Sequence, residues 1–174
     1  MPGTQSPVPS QLNGIPAIRF LFVKALPYKE DGMDTAAQEF AAFLNEWTTD
    51  PCGAKDVLLR FRDLLAGIEG VSLSYRCRPG VSYSIRATGK AQSKRELFVL
   101  VDVVDDDPAS RWLSVCFYAD LITDPEEKGD WVPEGLFGED ANCFNYDESD
   151  PAMEAYIAER LRESAAAACT DGAR

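Results

Sequence analysis

Apolar positions recur every three or four residues between positions 35 and 68, and every second residue between positions 71 and 119. The first period predicts helices with one buried face, the second strands with one buried face. Ala36, Phe40, Phe43, Leu44 and Trp47 form one helical stripe. It opens on Thr35-Ala36-Ala37-Gln38, a capping box in which hydroxyl and amide each satisfy an unpaired backbone N–H. Val57, Leu58, Phe61, Leu64, Leu65 and Ile68 form a second stripe. Asp50 as N-cap and Pro51 as first helical residue predict its start, and Gly67 and Gly70 its end.

Val71, Leu73, Tyr75 and Cys77 alternate with Ser72, Ser74, Arg76 and Arg78; after Pro79-Gly80, Val81, Tyr83, Ile85 and Ala87 alternate with Ser82, Ser84 and Arg86. Two alternating runs around a Pro-Gly turn predict a β-hairpin. Residues 97–104 are almost continuously apolar, as in a central strand covered on both faces, and Asp105-Asp106-Asp107-Pro108 ends them. Residues 112–120 alternate again, with Leu113, Val115, Phe117 and Ala119 on one side.

Residues 121–142 break the pattern, with two prolines, three glycines and no sustained period. They read as a long loop, the kind that often serves as a lid, with one helical turn capped at Thr123-Asp124-Pro125-Glu126. Residues 143–146 read as a short fifth strand. Asp150-Pro151 opens a last helix with Met153, Tyr156, Ile157, Arg160 and Leu161 as its stripe. The expected fold is a two-layer α+β domain: an antiparallel meander of about five strands packed by N-terminal helices and a C-terminal helix.

The N-terminal 14 residues are rich in Pro, Gly, Ser and Gln and read as a disordered tail. Residues 15–26 are apolar enough for a strand. Lys29-Glu30-Asp31 can be encoded by a ribosome-binding sequence just ahead of Met33, so residues 1–32 are expected to be a disordered or extended segment translated upstream of a true start, and residues 33–174 a single domain.

Composition narrows the chemistry. The 174 residues carry 17 Lys and Arg against 29 Asp and Glu, a net charge of −12, which disfavours nucleic acid and anionic membrane. No histidine is present, removing Ser-His-Asp and Cys-His mechanisms and His-ligated metals. The five cysteines, Cys52, Cys77, Cys116, Cys143 and Cys169, show no C-x-x-C pair. With no apolar run long enough to span a bilayer and no secretory signal pattern, they read as reduced thiols of a cytoplasmic protein. Cys77, Cys116 and Cys143 are expected to pack as small hydrophobes.

The layout resembles a known group. The helix ending in Leu64-Leu65-x-x-Ile68-x-Gly70-Val71, the hairpin, the strands Leu97-Phe98-Val99-Leu100-Val101-Asp102 and Leu113-Ser114-Val115-Cys116, a Gly-rich loop and a C-terminal helix are similar to the bacterial MmcQ/YjbR-like group over roughly residues 55–165. The resemblance implies the fold. Its members largely lack assigned activities, and DNA binding has been suggested for some.

Charge is segregated. Residues 70–95 hold six basic side chains (Arg76, Arg78, Arg86, Lys90, Lys94, Arg95) and no acid, whereas residues 102–150 hold fifteen acids against Arg111 and Lys128. Taken literally, the alternation puts Ser72, Ser74, Arg76, Arg78, Ser82, Ser84, Arg86, Phe98, Leu100, Asp102, Trp112, Ser114, Cys116 and Tyr118 on the sheet face opposite the core. Small serines leave room, aromatics supply apolar contact, and guanidinium groups match carboxylate or phosphate. Arg76, Arg78, Arg86, Trp112, Ser114, Tyr118 and Trp131 are therefore the candidate ligand-binding residues, with Trp131, Leu136 and Phe137 of the 121–142 loop closing over them. The opposing expectation is that this face is simply covered, by the loop, the N-terminal segment or a second subunit in a homodimer.

Asp102, Asp105 and Asp107 are the only metal candidates, although consecutive carboxylates at a strand end point apart. No cofactor motif is present, and Gly135-Leu136-Phe137-Gly138 lacks the Lys and Ser or Thr of a phosphate loop. The sequence thus favours a non-enzymatic module binding a small molecule or protein. The alternative is a hydrolase or transferase working through carboxylates, with or without a divalent ion. It requires Asp102 or Asp105 to meet a loop carboxylate such as Glu126 or Asp140.

Overall fold

The apolar stripes close into helices where expected. The computed structural model describes residues 35–170, which belong to one compact unit spanning residues 32–174. The expectations for the N-terminal tail, the apolar run at 15–26 and the start at Met33 lie outside the described residues. Helix α1 (Thr35–Glu46) begins at the capping-box threonine. Helix α2 (Ala54–Ala66) starts three residues later than the Asp50-Pro51 pair predicts, because Gly53, with φ of 74°, occupies the N-cap position. Asp50 still serves this terminus. From across the turn its carboxylate accepts the Ala54 N–H at 2.9 Å and the Lys55 N–H at 3.0 Å, two of the donors that a helix start leaves unpaired. Helix α3 (Pro151–Cys169) is capped as predicted, the Asp150 carboxylate accepting from Ala152 N at 2.8 Å and Met153 N at 3.1 Å.

The strands are β1 (Val71–Arg78), β2 (Ser82–Gly89), β3 (Val99–Val104), β4 (Trp112–Tyr118), β5 (Asp130–Leu136) and β6 (Glu139–Tyr146). They form one antiparallel sheet in the order β1-β2-β3-β4-β6-β5. The sheet has six strands where five were expected, because the 121–142 stretch contains β5 and the beginning of β6. Six of the seven β5 residues are exposed, so the strand has no alternation to read. Pro133 and Gly135 sit where the pairing with β6 shifts register, between Val132 and Leu136. The helical turn expected near residue 123 is instead a tight turn organised by Asp124. Its carboxylate accepts the Lys128 N–H at 3.1 Å, the Gly129 N–H at 2.8 Å and the Tyr156 hydroxyl at 2.6 Å.

All three helices share one core with one face of the sheet, here the front face. Phe40, Trp47, Leu58, Phe61, Ile157 and Leu161 meet Ile85, Val101, Val115, Phe117 and Phe144 there. The Phe43 and Tyr83 rings stack at 3.5 Å. A smaller apolar cluster forms on the back face from Leu97, Tyr118, Leu136 and Ala141, with Leu100, Cys116 and Cys143 packed against it, and it contains no helix residue.

Two positions depart from simple alternation. Phe98 was expected on the back face, but the chain bends just before β3 and both Phe98 and Val99 enter the main core, leaving Leu97 to join the back-face cluster. Cys116 and Cys143, expected as separate thiols, are Cα partners on β4 and β6 and form a disulfide with Cα atoms 4.1 Å apart. Among the described residues no helix is long and apolar enough to cross a membrane.

Candidate functional site on the back face

Strand register lays the back face out in rows. One row runs Arg78, Ser82, Val104, Trp112; the next Arg76, Ser84, Asp102, Ser114, Asn145; the third Ser74, Arg86, Leu100, Cys116, Cys143, Asp130. Six of the seven candidate ligand-binding residues (Arg76, Arg78, Arg86, Trp112, Ser114 and Tyr118) therefore share this face, and Trp131 does not. Tyr118 is fully buried in the back-face cluster beneath the Arg95 guanidinium, 4.1 Å from its ring centre. Burial pushes its hydroxyl pKa up, and it has no surface to offer. Trp131 is Cα partner to Asn142, itself partner to Phe117 of the core, so its register position is on the front face at the outer edge, 61% exposed.

The centre of the face is polar and closed. Ser84 is fully buried and its hydroxyl donates to the Asp102 carboxylate. Arg78 lies 3.8 Å from the other Asp102 oxygen and donates to the Ser82 hydroxyl at 2.5 Å. Burial raises the Asp102 pKa, against the opposing pull of the Ser84 hydrogen bond and the Arg78 and Arg86 charges. One carboxylate thus faces two guanidinium groups, those of Arg78 and Arg86, with Arg76 two strands away in the same row. Arg76 is exposed and makes no side-chain hydrogen bond or ion pair among the described residues. The Arg86 Nε is buried with no hydrogen-bond partner among them.

The β5–β6 hairpin tip reaches this face, as the 121–142 stretch was expected to. Leu136 packs into the back-face cluster, and the exposed Phe137 ring lies 5.7 Å from the Arg86 guanidinium carbon. Phe137 has φ of 53° and the following Gly138 φ of 82°. Two successive left-handed residues turn the tip, and only the glycine adopts that conformation without cost.

The charge halves meet where the sheet joins them. Arg95 pairs with Asp120 at 3.0 Å and with Glu139, and Arg78 with Asp102, so part of the basic segment is neutralised internally. The carboxylates required by the catalytic alternative each have other partners. Asp105 is 5% exposed, pairs with Arg111 at 2.5 Å and accepts the Gly80 N–H at 2.9 Å. Glu126 pairs with Lys128 at 2.9 Å, Asp140 accepts the Glu134 N–H at 3.1 Å, and Asp107 accepts the Ala109 N–H at 2.9 Å. Asp102, Asp105 and Asp107 are thus held by different groups, and no cluster of three or more Asp, Glu or Cys side chains suited to a metal ion occurs among the described residues.

Comparison of the chain with protein-family models, with curated proteins and with solved structures finds no match.

Proposed function

We propose that this protein is a binding module whose back face takes an anionic group, a carboxylate or phosphate carried by a small molecule or by a partner protein. The observation that carries this reading is the imbalance around Asp102: the Arg78 and Arg86 guanidinium groups against one carboxylate, and a buried Arg86 Nε with no acceptor among the described residues. A buried donor without a partner costs about 1–3 kcal/mol, and an incoming anionic oxygen recovers it. Arg76 and Arg86 flank Ser84 and Ser74 across the β1–β2 pair, where short side chains leave the guanidinium groups free to converge. Phe137 closes one side of the site with an apolar surface, as binding sites usually mix a few placed polar groups with aromatic walls.

The test uses the full chain with inorganic phosphate and a panel of mono-, di- and tricarboxylates, read by thermal shift and native mass spectrometry. At least one anion should raise the melting temperature, and the combined Arg76→Ala and Arg86→Ala variant should lose the response. If no anion shifts the melting point, or the double variant responds as the parent does, the reading fails.

A further inference from the structure

The back face carries a second chemistry that the anion site does not use. Cys116 and Cys143 are opposed on neighbouring strands, both half-buried at the margin of the small cluster. The remaining cysteines are placed differently. Cys52 is buried and donates to the Arg111 carbonyl at 3.4 Å, Cys77 donates to the Ala36 carbonyl at 3.7 Å, and Cys169 lies at the end of α3; all three are free thiols. We infer that Cys116 and Cys143 form a reversible thiol–disulfide exchange site, which a low-molecular-weight disulfide oxidises and the corresponding thiol reduces while the domain stays folded.

Three features support this. First, the β4–β6 ladder runs through six residue pairs, from Leu113 opposite Tyr146 to Tyr118 opposite Ala141. The strands are thus held by backbone pairing whether or not the sulfurs are joined. Cleavage leaves the two thiols facing each other, and re-closure is intramolecular, with the rate advantage of preset geometry. Second, both cysteines lie on the sheet face that no helix residue covers in the small cluster, so an attacking thiolate has a route that the core cysteines deny it. Third, the Ser114 hydroxyl lies 3.7 Å from the Cys116 sulfur, a donor in place for the negative charge that develops when the bond opens.

The step balances without further reactants. One cysteine thiolate attacks a sulfur of RSSR and expels RS⁻, which takes up a proton, leaving a mixed disulfide on the protein. The second thiolate attacks the protein sulfur of that mixed disulfide, forming Cys116–Cys143 and releasing the second RSH. Two electrons pass from the cysteine pair to RSSR. Reduction is the reverse.

The bond also fixes what lies above it. Leu136 of the hairpin tip packs in the cluster that Cys116 and Cys143 border, and the next residue is Phe137, over Arg86. Opening the disulfide therefore loosens the wall of the anion site. This consequence rests on the anion-binding reading; the exchange site itself does not.

The full chain is equilibrated in buffers of graded ratio of reduced glutathione to glutathione disulfide, starting from both the reduced and the oxidised protein. Samples are acid-quenched, alkylated and measured by intact mass and peptide mapping. The expected result is a loss of two alkylatable thiols from five across the series, with the 116–143 linked peptide as product. Both starting points should meet at the same ratio, and the circular dichroism should not change. Cys143→Ser should retain a single glutathione on Cys116. The inference is overturned if the linked peptide forms at no ratio, if it reopens only in denaturant, or if the bonds formed involve Cys52, Cys77 or Cys169. Should the single variant fail to fold, the titration of the parent chain decides alone. Failure of the anion panel with a normal thiol titration removes the back-face ligand and leaves the exchange site standing.

Discussion

On its front face the sheet presents Ile85, Val101, Val115 and Phe117, every one fully buried beneath three helices. On its back face the same three strands present Ser84, Arg86, Asp102, Ser114 and Cys116, and β1 adds Arg76 and Arg78. The strands have one backbone and two chemistries. The front face is held by the removal of apolar surface from water, which is non-directional and tolerates modest repacking. The back face is held by particular donors finding particular acceptors, where a missing partner costs more than a present one gains. Stability should therefore reside in the first and responsiveness to ligand, pH and redox state in the second.

The widest separation comes from Phe117→Ala. Truncating this fully buried ring, which meets Phe144 edge-on at 5.8 Å, should cost about 3–5 kcal/mol in urea denaturation without altering thiol exchange in protein that remains folded. Next is the disulfide. Oxidised protein should exceed reduced protein by about 3.5 kcal/mol, the loop-closure value for a cross-link between residues 27 apart, and the combined Cys116→Ser and Cys143→Ser variant should show no dependence on reductant. A similar reductant response in that variant would place the effect elsewhere. Ser84→Ala removes the donor to a buried carboxylate and should cost about 1–2 kcal/mol, measured by the same denaturation and restored in part by Ser84→Thr.

The smallest effect carries a sign. Burial raises the Asp102 pKa in the folded chain, so the folded state favours the protonated form. The ionised group therefore destabilises the fold above that raised value, and the penalty is relieved as pH falls through it toward the unfolded value. Asp102→Asn should melt slightly higher than the parent at neutral pH, and the difference should close on acidification. The opposite trend would mean that the Arg78 and Arg86 charges outweigh burial.

The front face was legible because each of its elements carries its own period. Phe61 and Leu65 in α2, or Leu73 and Tyr75 in β1, announce which side is inward with no knowledge of their neighbours. The arginines and serines of the back face followed from the same alternation. What escaped was tertiary. The bend before Val99 moves Phe98 into the core. Tyr118 is covered by Arg95 and Leu136, which come from distant parts of the chain. Strand β5 buries only Leu136, so it leaves no hydrophobic trace. The pairing of Cys116 with Cys143 depends on β6 lying beside β4, and no property of either local sequence states that order.

The two ends of the sheet also differ as edges. At β5, Pro133 lacks the N–H a further strand would need, the register slips between Val132 and Leu136, and Asp130 and Glu134 are exposed. These are the devices by which natural sheets refuse another chain. At β1, eight residues pair regularly with β2 and none is a proline; among the described residues it ends the sheet, with the charges of Arg76 and Arg78 to discourage company. A sheet with one receptive edge and one blocked edge cannot propagate. Two such sheets joined at β1 would have only the blocked β5 edges left, so growth would end at the pair.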